Sequence, residues 1–211
     1  MTQIAKYIIC LWICTIAISG AYGKSFQVSS TEEFETSQRD AKSGDSIIWS
    51  AGKYSNINID LTIDDIVFQS VRPGATTFFG SSSLLVSGSG NVVFGFQFIG
   101  GKIKGDVVDI SGSRNTIQHI NIDNYDSHYY LRVRPNCQYN KIVYCNFEAK
   151  PETQESSVVQ IEASENTIGY HVLSHCSFKN FTAPKGAGGD YGIEALRIGY
   201  SYQRMFTSRT L

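Results

Sequence analysis

Four residues sit at the centre of short apolar triplets: Asp109 in Val108-Asp109-Ile110, Arg132 in Leu131-Arg132-Val133, Gln160 in Val159-Gln160-Ile161 and Arg197 in Leu196-Arg197-Ile198. Along an extended strand successive side chains face opposite sides, so a polar residue between two apolar ones points away from the core. Arg134 lies two residues beyond Arg132 and shares its side. A guanidinium grips a carboxylate through two parallel N–H···O bonds, so Arg132, Arg197 and Arg134 offer recognition of an acidic chain molecule. The alternative is a solvated ladder in which Asp109 pairs with Arg132, a kind of surface pair worth ~0–1 kcal/mol. Lys150, at the start of a loop after Phe147, is a further candidate substrate contact. Glu194 can hold Arg197 or a turn, or ligate a metal. His119, His128, His171 and His175 show no metal-ligand spacing, and no Ser-His-Asp arrangement can be argued.

For such residues to form one column, the elements bearing them must stack in register, and the sequence contains a repeat that does this. Each copy has a short apolar strand, a turn, an Asn, and a second apolar strand closing on an aromatic or aliphatic residue. The Asn positions are 91, 115, 140 and 166, giving steps of 24, 25 and 26 residues. One circuit of a β-solenoid needs about that length, and the segments lack helical periodicity. The spacing predicts an all-β, right-handed parallel β-helix with Val86, Ile110, Val133, Ile161 and Ile198 in one core column. A β-sandwich is the competing fold, but it does not require the same residue type at the same point of each repeat. Asn91, Asn115, Asn140 and Asn166 fit a ladder of side-chain amides running from coil to coil.

Ser30-Thr31-Glu32-Glu33 has capping-box character and predicts a helix over 31–41 with Phe34 inward, covering the open end of the solenoid; Gly44 to Trp49 then begins the first coil. Residues 1–23 read as a secretory signal, with Lys6 followed by the apolar run Tyr7–Ile18 and then small residues. That run is short of the ~20 residues that span a bilayer. The reading is therefore a secreted, monomeric β-helix domain over 24–211, not held in a membrane once the signal is removed. Cys137, Cys145 and Cys176 remain, an odd number. Cys145 and Cys176 each stand two residues before a closing Phe and are expected to stack as free buried thiols, a disulfide being the alternative. Asn180-Phe181-Thr182 matches an N-glycosylation acceptor. The formal net charge of -1 gives no basic field for nucleic acid.

Two segments carry a family resemblance. Lys42-Ser43-Gly44-Asp45-Ser46-Ile47-Ile48-Trp49 with Gly52-Lys53-Tyr54, and Gly192-Ile193-Glu194-Ala195-Leu196-Arg197-Ile198-Gly199-Tyr200-Ser201, resemble the polysaccharide lyase family of alginate lyases and chondroitinase B. The strand ends Cys145-Asn146-Phe147 and Cys176-Ser177-Phe178 are similar to that family as well. The resemblance implies β-elimination on a uronic acid: Ca2+ neutralises the substrate carboxylate, a Lys removes the C5 proton and an Arg assists the leaving oxygen. It also implies that Tyr191 stands where the family has a calcium-binding Asn. A phenol is a poor substitute for that amide oxygen, so Asp190 and Glu194 are the candidate metal ligands on this chain.

In the family, the remaining ligands and the catalytic Lys and Arg lie downstream of this motif, so the chain is expected to be the N-terminal portion of such a lyase, apparently truncated and inactive alone. The expected partner is an acidic polysaccharide of the alginate or chondroitin/dermatan type. The rival readings are a glycan-binding module without catalysis and a structural β-helix.

Overall fold

The computed structural model describes residues 23–149, 159–162 and 169–180. Short strands with alternating burial fall into three parallel sheets. Sheet A contains β1 (Ser25–Val28), β2 (Ser46–Trp49), β5 (Val67–Ser70), β8 (Val92–Phe94), β11 (Thr116–Gln118), β14 (Lys141–Val143) and β17 (Val172–Ser174). Sheet B contains β3 (Gly52–Ser55), β6 (Thr76–Phe79), β9 (Phe96–Ile99), β12 (Asn121–Asp123), β15 (Asn146–Glu148) and β18 (Ser177–Lys179). Sheet C contains β4 (Asn58–Leu61), β7 (Ser83–Val86), β10 (Val108–Ile110), β13 (Leu131–Val133) and β16 (Val159–Ile161). The chain visits A, B and C in turn, and each strand pairs with the equivalent strand one circuit away. This is a parallel β-solenoid, and its all-parallel ladders exclude the sandwich.

The core column predicted from the repeat is present: Val86, Ile110, Val133 and Ile161 are register partners along sheet C, and all are buried. Ile198 lies outside the described residues. Inside the first coils the filling is aromatic, with Trp49 packed edge-on to Phe78 at 5.2 Å and Phe68 against Phe96 at 4.7 Å. Helix α1 (Thr31–Asp40) covers this end, and Phe34 meets Phe68 at 5.1 Å. Ser30 Oγ accepts from the Glu33 N–H, while the Glu33 carboxylate accepts from the N–H of Ser29 rather than Ser30. That departs by one residue from the reciprocal capping box. Gln38 ties the helix to the end of β4, accepting from the Thr62 N–H at 2.8 Å.

The expectation that the first coil opens at Gly44 needs correction. β1 precedes the helix and pairs with β2 from Ser25↔Ser46 to Val28↔Trp49, so sheet A begins before the cap. Asp45 secures this entry by accepting from the N–H groups of Lys42 and Lys24 at 2.8 and 2.6 Å, and those bonds hold its carboxyl below the usual carboxylate range.

The Asn ladder exists, with a different hydrogen-bond pattern and a different last rung. Each buried Asn staples the backbone of the turn one coil before instead of pairing amide to amide. Asn115 Oδ1 accepts from the Asn91 N–H at 2.9 Å, and Asn115 Nδ2 donates to the Gly88 carbonyl at 2.9 Å. Asn140 does the same with the Asn115 N–H and the Gly112 carbonyl. Close approach of the turns requires glycine here: a Cβ on Gly112 would fall 1.9 Å from the Gly88 oxygen. The next rung is His171, whose Nδ1 accepts from the Asn140 N–H at 3.2 Å, 31 residues along. The strand in register with β14 is β17, from Lys141↔Val172 to Val143↔Ser174. Asn166 itself lies outside the described residues.

Replacing Asn115 with Ala leaves the Asn91 N–H and the Gly88 carbonyl buried and unpaired. At ~1–3 kcal/mol for each orphaned group, the expected loss is about 2–6 kcal/mol in urea unfolding. A loss under about 0.5 kcal/mol would show that water replaces the rung. The His171 rung adds a pH dependence. Burial lowers its pKa from the usual 6.5, with the Cys137 backbone opposing weakly. The unfolded chain therefore binds the proton more readily than the folded one. Stability is full above pH 6.5 and falls as the pH drops toward the lowered folded value. His171→Asn, which keeps an acceptor for Asn140, is expected to flatten that decline in pH-dependent unfolding curves.

Candidate functional site

The corners between sheets differ in length. The A-to-B corner stays tight in the later coils, with residues 119–120, 144–145 and 175–176. The B-to-C connections lengthen from residues 56–57 and 80–82 to 100–107, 124–130 and 149–158. The C-to-A connections lengthen from 111–115 to 134–140 and 162–171. Sheet C is thus flanked on both sides by the longest connections, the positions where binding residues concentrate on rigid scaffolds. Its outward residues are correspondingly sunk: Asp109 is 9% and Gln160 6% exposed although each points away from the core. Gln160 Oε1 makes no hydrogen bond among the described residues.

Asp109, Arg132 and Gln160 are register partners, as their place in the triplets predicts. The ion pairs on this face run diagonally, however. Asp109 pairs with Arg134, accepting from Nε at 2.9 Å and Nη2 at 2.5 Å, and not with Arg132. Arg132 turns to Glu162, donating from Nε at 3.1 Å and Nη2 at 2.6 Å, and reaches Asp106 at 3.4 Å through Nη1. In both pairs the partner is two residues beyond the direct register neighbour, one coil on. The reason is length: adjacent strands are ~4.8 Å apart, too close for an extended Arg side chain to end on its direct neighbour. Asp106 also receives the Tyr129 N–H at 3.3 Å and faces His128 Nδ1 at 3.4 Å.

Two guanidinium groups here meet three carboxylates, so the cluster is not the basic column expected from the sequence. Asp106 and Glu162 were overlooked because each stands just outside its triplet. The signal was available: Glu162 follows Gln160 by two residues, the same offset that places Arg134 after Arg132. The hydrogen bond and charge of Asp109 push the Arg134 pKa further up, so the group stays a cation at any pH at which the fold exists. Arg134 is the more exposed arginine, its side chain 48% accessible against 26% for Arg132. Lys150, Asp190, Glu194 and Arg197 lie outside the described residues. Among the described residues no group of three His, Cys, Asp or Glu is placed to hold a metal ion.

Residues 28–211 match the family model described as chondroitinase B. The chain belongs to the chondroitinase B family. No curated protein matches it. Among solved structures, the family 6 alginate lyase AlyGC superposes with a TM-score of 0.65 at 18% identity, over 72% of this chain and 23% of that one. A mannuronic acid specific family 6 lyase from human gut microbiota gives 0.63 at 19%, over 79% and 42%. The family 6 polysaccharide lyase of Pseudopedobacter saltans gives 0.58 at 17%, over 73% and 46%. At these identities the likeness establishes the shared solenoid. This member of the chondroitinase B family spans less than half of each of the three.

The diagonal pairs make a stability prediction. Arg132→Ala strands Asp106, whose side chain is 6% exposed, together with Glu162. It is expected to cost about 1–3 kcal/mol in chemical denaturation, the range for a buried polar group left without its partner. Arg134→Ala leaves Asp109, whose side chain is 12% exposed, without its arginine and is expected to cost about 1–3 kcal/mol as well. A cost under about 0.5 kcal/mol for both variants would mean that the network is not the one described.

Proposed function

We propose that this chain forms the N-terminal coils of a secreted lyase that cleaves acidic glycans of the alginate or chondroitin/dermatan type by β-elimination, and that the outward face of sheet C takes the glycan. The supporting observation is the fixed pair Asp109–Arg134 on that face, within a chondroitinase B family solenoid. One neighbouring structure is of an alginate lyase in complex with a trisaccharide, which supports a saccharide as the occupant.

The Arg134 guanidinium spends its Nε and one Nη2 hydrogen on Asp109 and donates to no other described residue. Its outer N–H groups are therefore available to a uronate carboxylate, already aimed by the carboxylate behind them. Arg132, deeper and held by Glu162 and Asp106, adds positive potential, and Gln160 offers an amide to a sugar hydroxyl. A calcium ion, where bound, would neutralise the substrate carboxylate and acidify the adjacent C–H. The described residues do not fit such an ion, since Asp106, Asp109 and Glu162 are all engaged by arginines. Asp190, Glu194 and the role of Arg197 stay within the proposal.

A second reading, glycan binding without cleavage, is favoured by the same saturation of the carboxylates. Both readings require binding of an acidic chain. Titrating mannuronate oligomers into the protein is expected to give binding that weakens with added salt. Arg134→Ala is expected to lower affinity by about 1–3 kcal/mol, the range for a charge-assisted hydrogen bond, with the fold intact by circular dichroism. Equal affinity for a neutral oligosaccharide of the same length, or an unchanged affinity in the variant, would leave the solenoid as a structural element.

A further inference from the structure

The corner between sheets A and B contains an inward column of one residue per coil: Thr76, Phe96, Ile120, Cys145 and Cys176. The register follows from the pairs Thr76↔Phe96, Asn121↔Gln97, Asn146↔Asn121 and Ser177↔Asn146, each cysteine immediately preceding its strand. Cys145 and Cys176 are thus adjacent rungs. Both are free thiols, Cys145 buried and Cys176 half-buried against the core. Their side chains adopt the same pose, Cys145 Sγ lying 3.4 Å from the Val143 carbonyl and Cys176 Sγ 3.4 Å from the Ser174 carbonyl.

From this juxtaposition we propose that Cys145 and Cys176 are a cross-linking site, closed by thiol–disulfide exchange into a bridge that fastens the coil of β17 and β18 to the coil before it. The backbone already satisfies the main requirement. Neighbouring strands stand ~4.8 Å apart, and disulfides span Cα separations of ~4.4–6.8 Å, so closure needs side-chain rotation and no strand movement. Cys137 stands apart, in the corner between sheets C and A, with its thiol directed at the Ile110 carbonyl at 3.7 Å.

The order of events follows from accessibility and from the contact between the two sulfurs. Cys176 is the more exposed, and a hydrogen bond from Cys145 lowers its pKa, while that same contact and burial raise that of Cys145. With glutathione disulfide as oxidant, the Cys176 thiolate attacks one glutathione sulfur. The glutathione S–S bond breaks and one glutathione leaves, taking up the proton that Cys176 released. Cys145 then attacks the Cys176 sulfur of the mixed disulfide. The second glutathione leaves with the Cys145 proton. Two protein thiols are oxidised by two electrons, and one glutathione disulfide is reduced to two glutathiones. In the structure the reduced pair is held by S–H···O=C contacts that the bridge gives up.

The test uses the full chain, folded and reduced, incubated with glutathione disulfide under native conditions, then alkylated and mapped by mass spectrometry. The expected product lacks two hydrogens and joins the peptides of Cys145 and Cys176, leaving Cys137 alkylated. Cys137→Ser is expected to close as readily as the unaltered chain. Cys145→Ser is expected to stop at a glutathione adduct on Cys176, which also checks the order of attack. A bridge through Cys137 would overturn the assignment. So would Cys145 and Cys176 both remaining alkylatable in a folded chain whose circular dichroism is unchanged.

Discussion

Everything in this molecule is subordinate to the hydrogen bonding of one coil to the next. A strand of three or four residues, such as Ile142 with its two neighbours, is too short to persist alone. It persists because each backbone N–H and C=O finds its partner at a constant spacing above and below. Extra residues cannot enter a strand without shifting every side chain beyond them to the opposite face. They accumulate instead at corners. In the later coils the A-to-B corner takes none: its inner residue fills the core, as Ile120 and Cys145 do, and the residue before it adopts a left-handed conformation, as at His119, Tyr144 and His175. Those bulky residues tolerate positive φ with their rings stacked on one another, His119 on Tyr144 at 5.4 Å and Tyr144 on His175 at 4.8 Å. In those coils the extra residues fall at the two corners around sheet C instead.

The C-to-A corner shows how a turn can lengthen without losing the core. Asn91, Asn115 and Asn140 each satisfy one backbone donor and one backbone acceptor of the turn one coil before, so that stretch of the turn stays fixed while the rest of the corner varies in length. His171 performs the accepting half of that role after the longest connection. An imidazole accepts through one nitrogen much as an amide accepts through its oxygen, and it remains an acceptor only while neutral. The rung is preserved at the cost of a proton sensitivity that the asparagines lack.

The fold was legible in the sequence because the coil constraint repeats. Val86, Ile110, Val133 and Ile161 recur for the same physical reason, and so do Asp109, Arg132 and Gln160 between them. What failed was legible only in three dimensions. Asn166-Thr167-Ile168 copies the local pattern of Asn115-Thr116-Ile117, and no local rule says that the register waits until Val172. β1 stands before the cap, outside any repeat. Pairing Asp109 with Arg132 is what counting along strands yields, since it finds direct neighbours, whereas the length of an arginine selects diagonal ones.

That diagonal bears on how a stacked array can recognise an acidic polymer. In-register repetition tends to place like residues ~4.8 Å apart, and arginines so placed, with nothing between them, would repel each other and raise the cost of each coil added. Here the positive charges are separated by two-residue offsets and each is interleaved with a carboxylate, which removes the repulsion and fixes the guanidinium planes before any ligand arrives. The apparent contradiction of an acid-rich face for polyanions is then a matter of geometry. Asp109 occupies the inner edge of Arg134, and a planar fork with five donors retains an outer edge that a second carboxylate can share. Arg132, with both Nη groups engaged by Glu162 and Asp106, has far less to offer and acts through its field. Contact and field are thus assigned to different arginines by the two-residue offset alone.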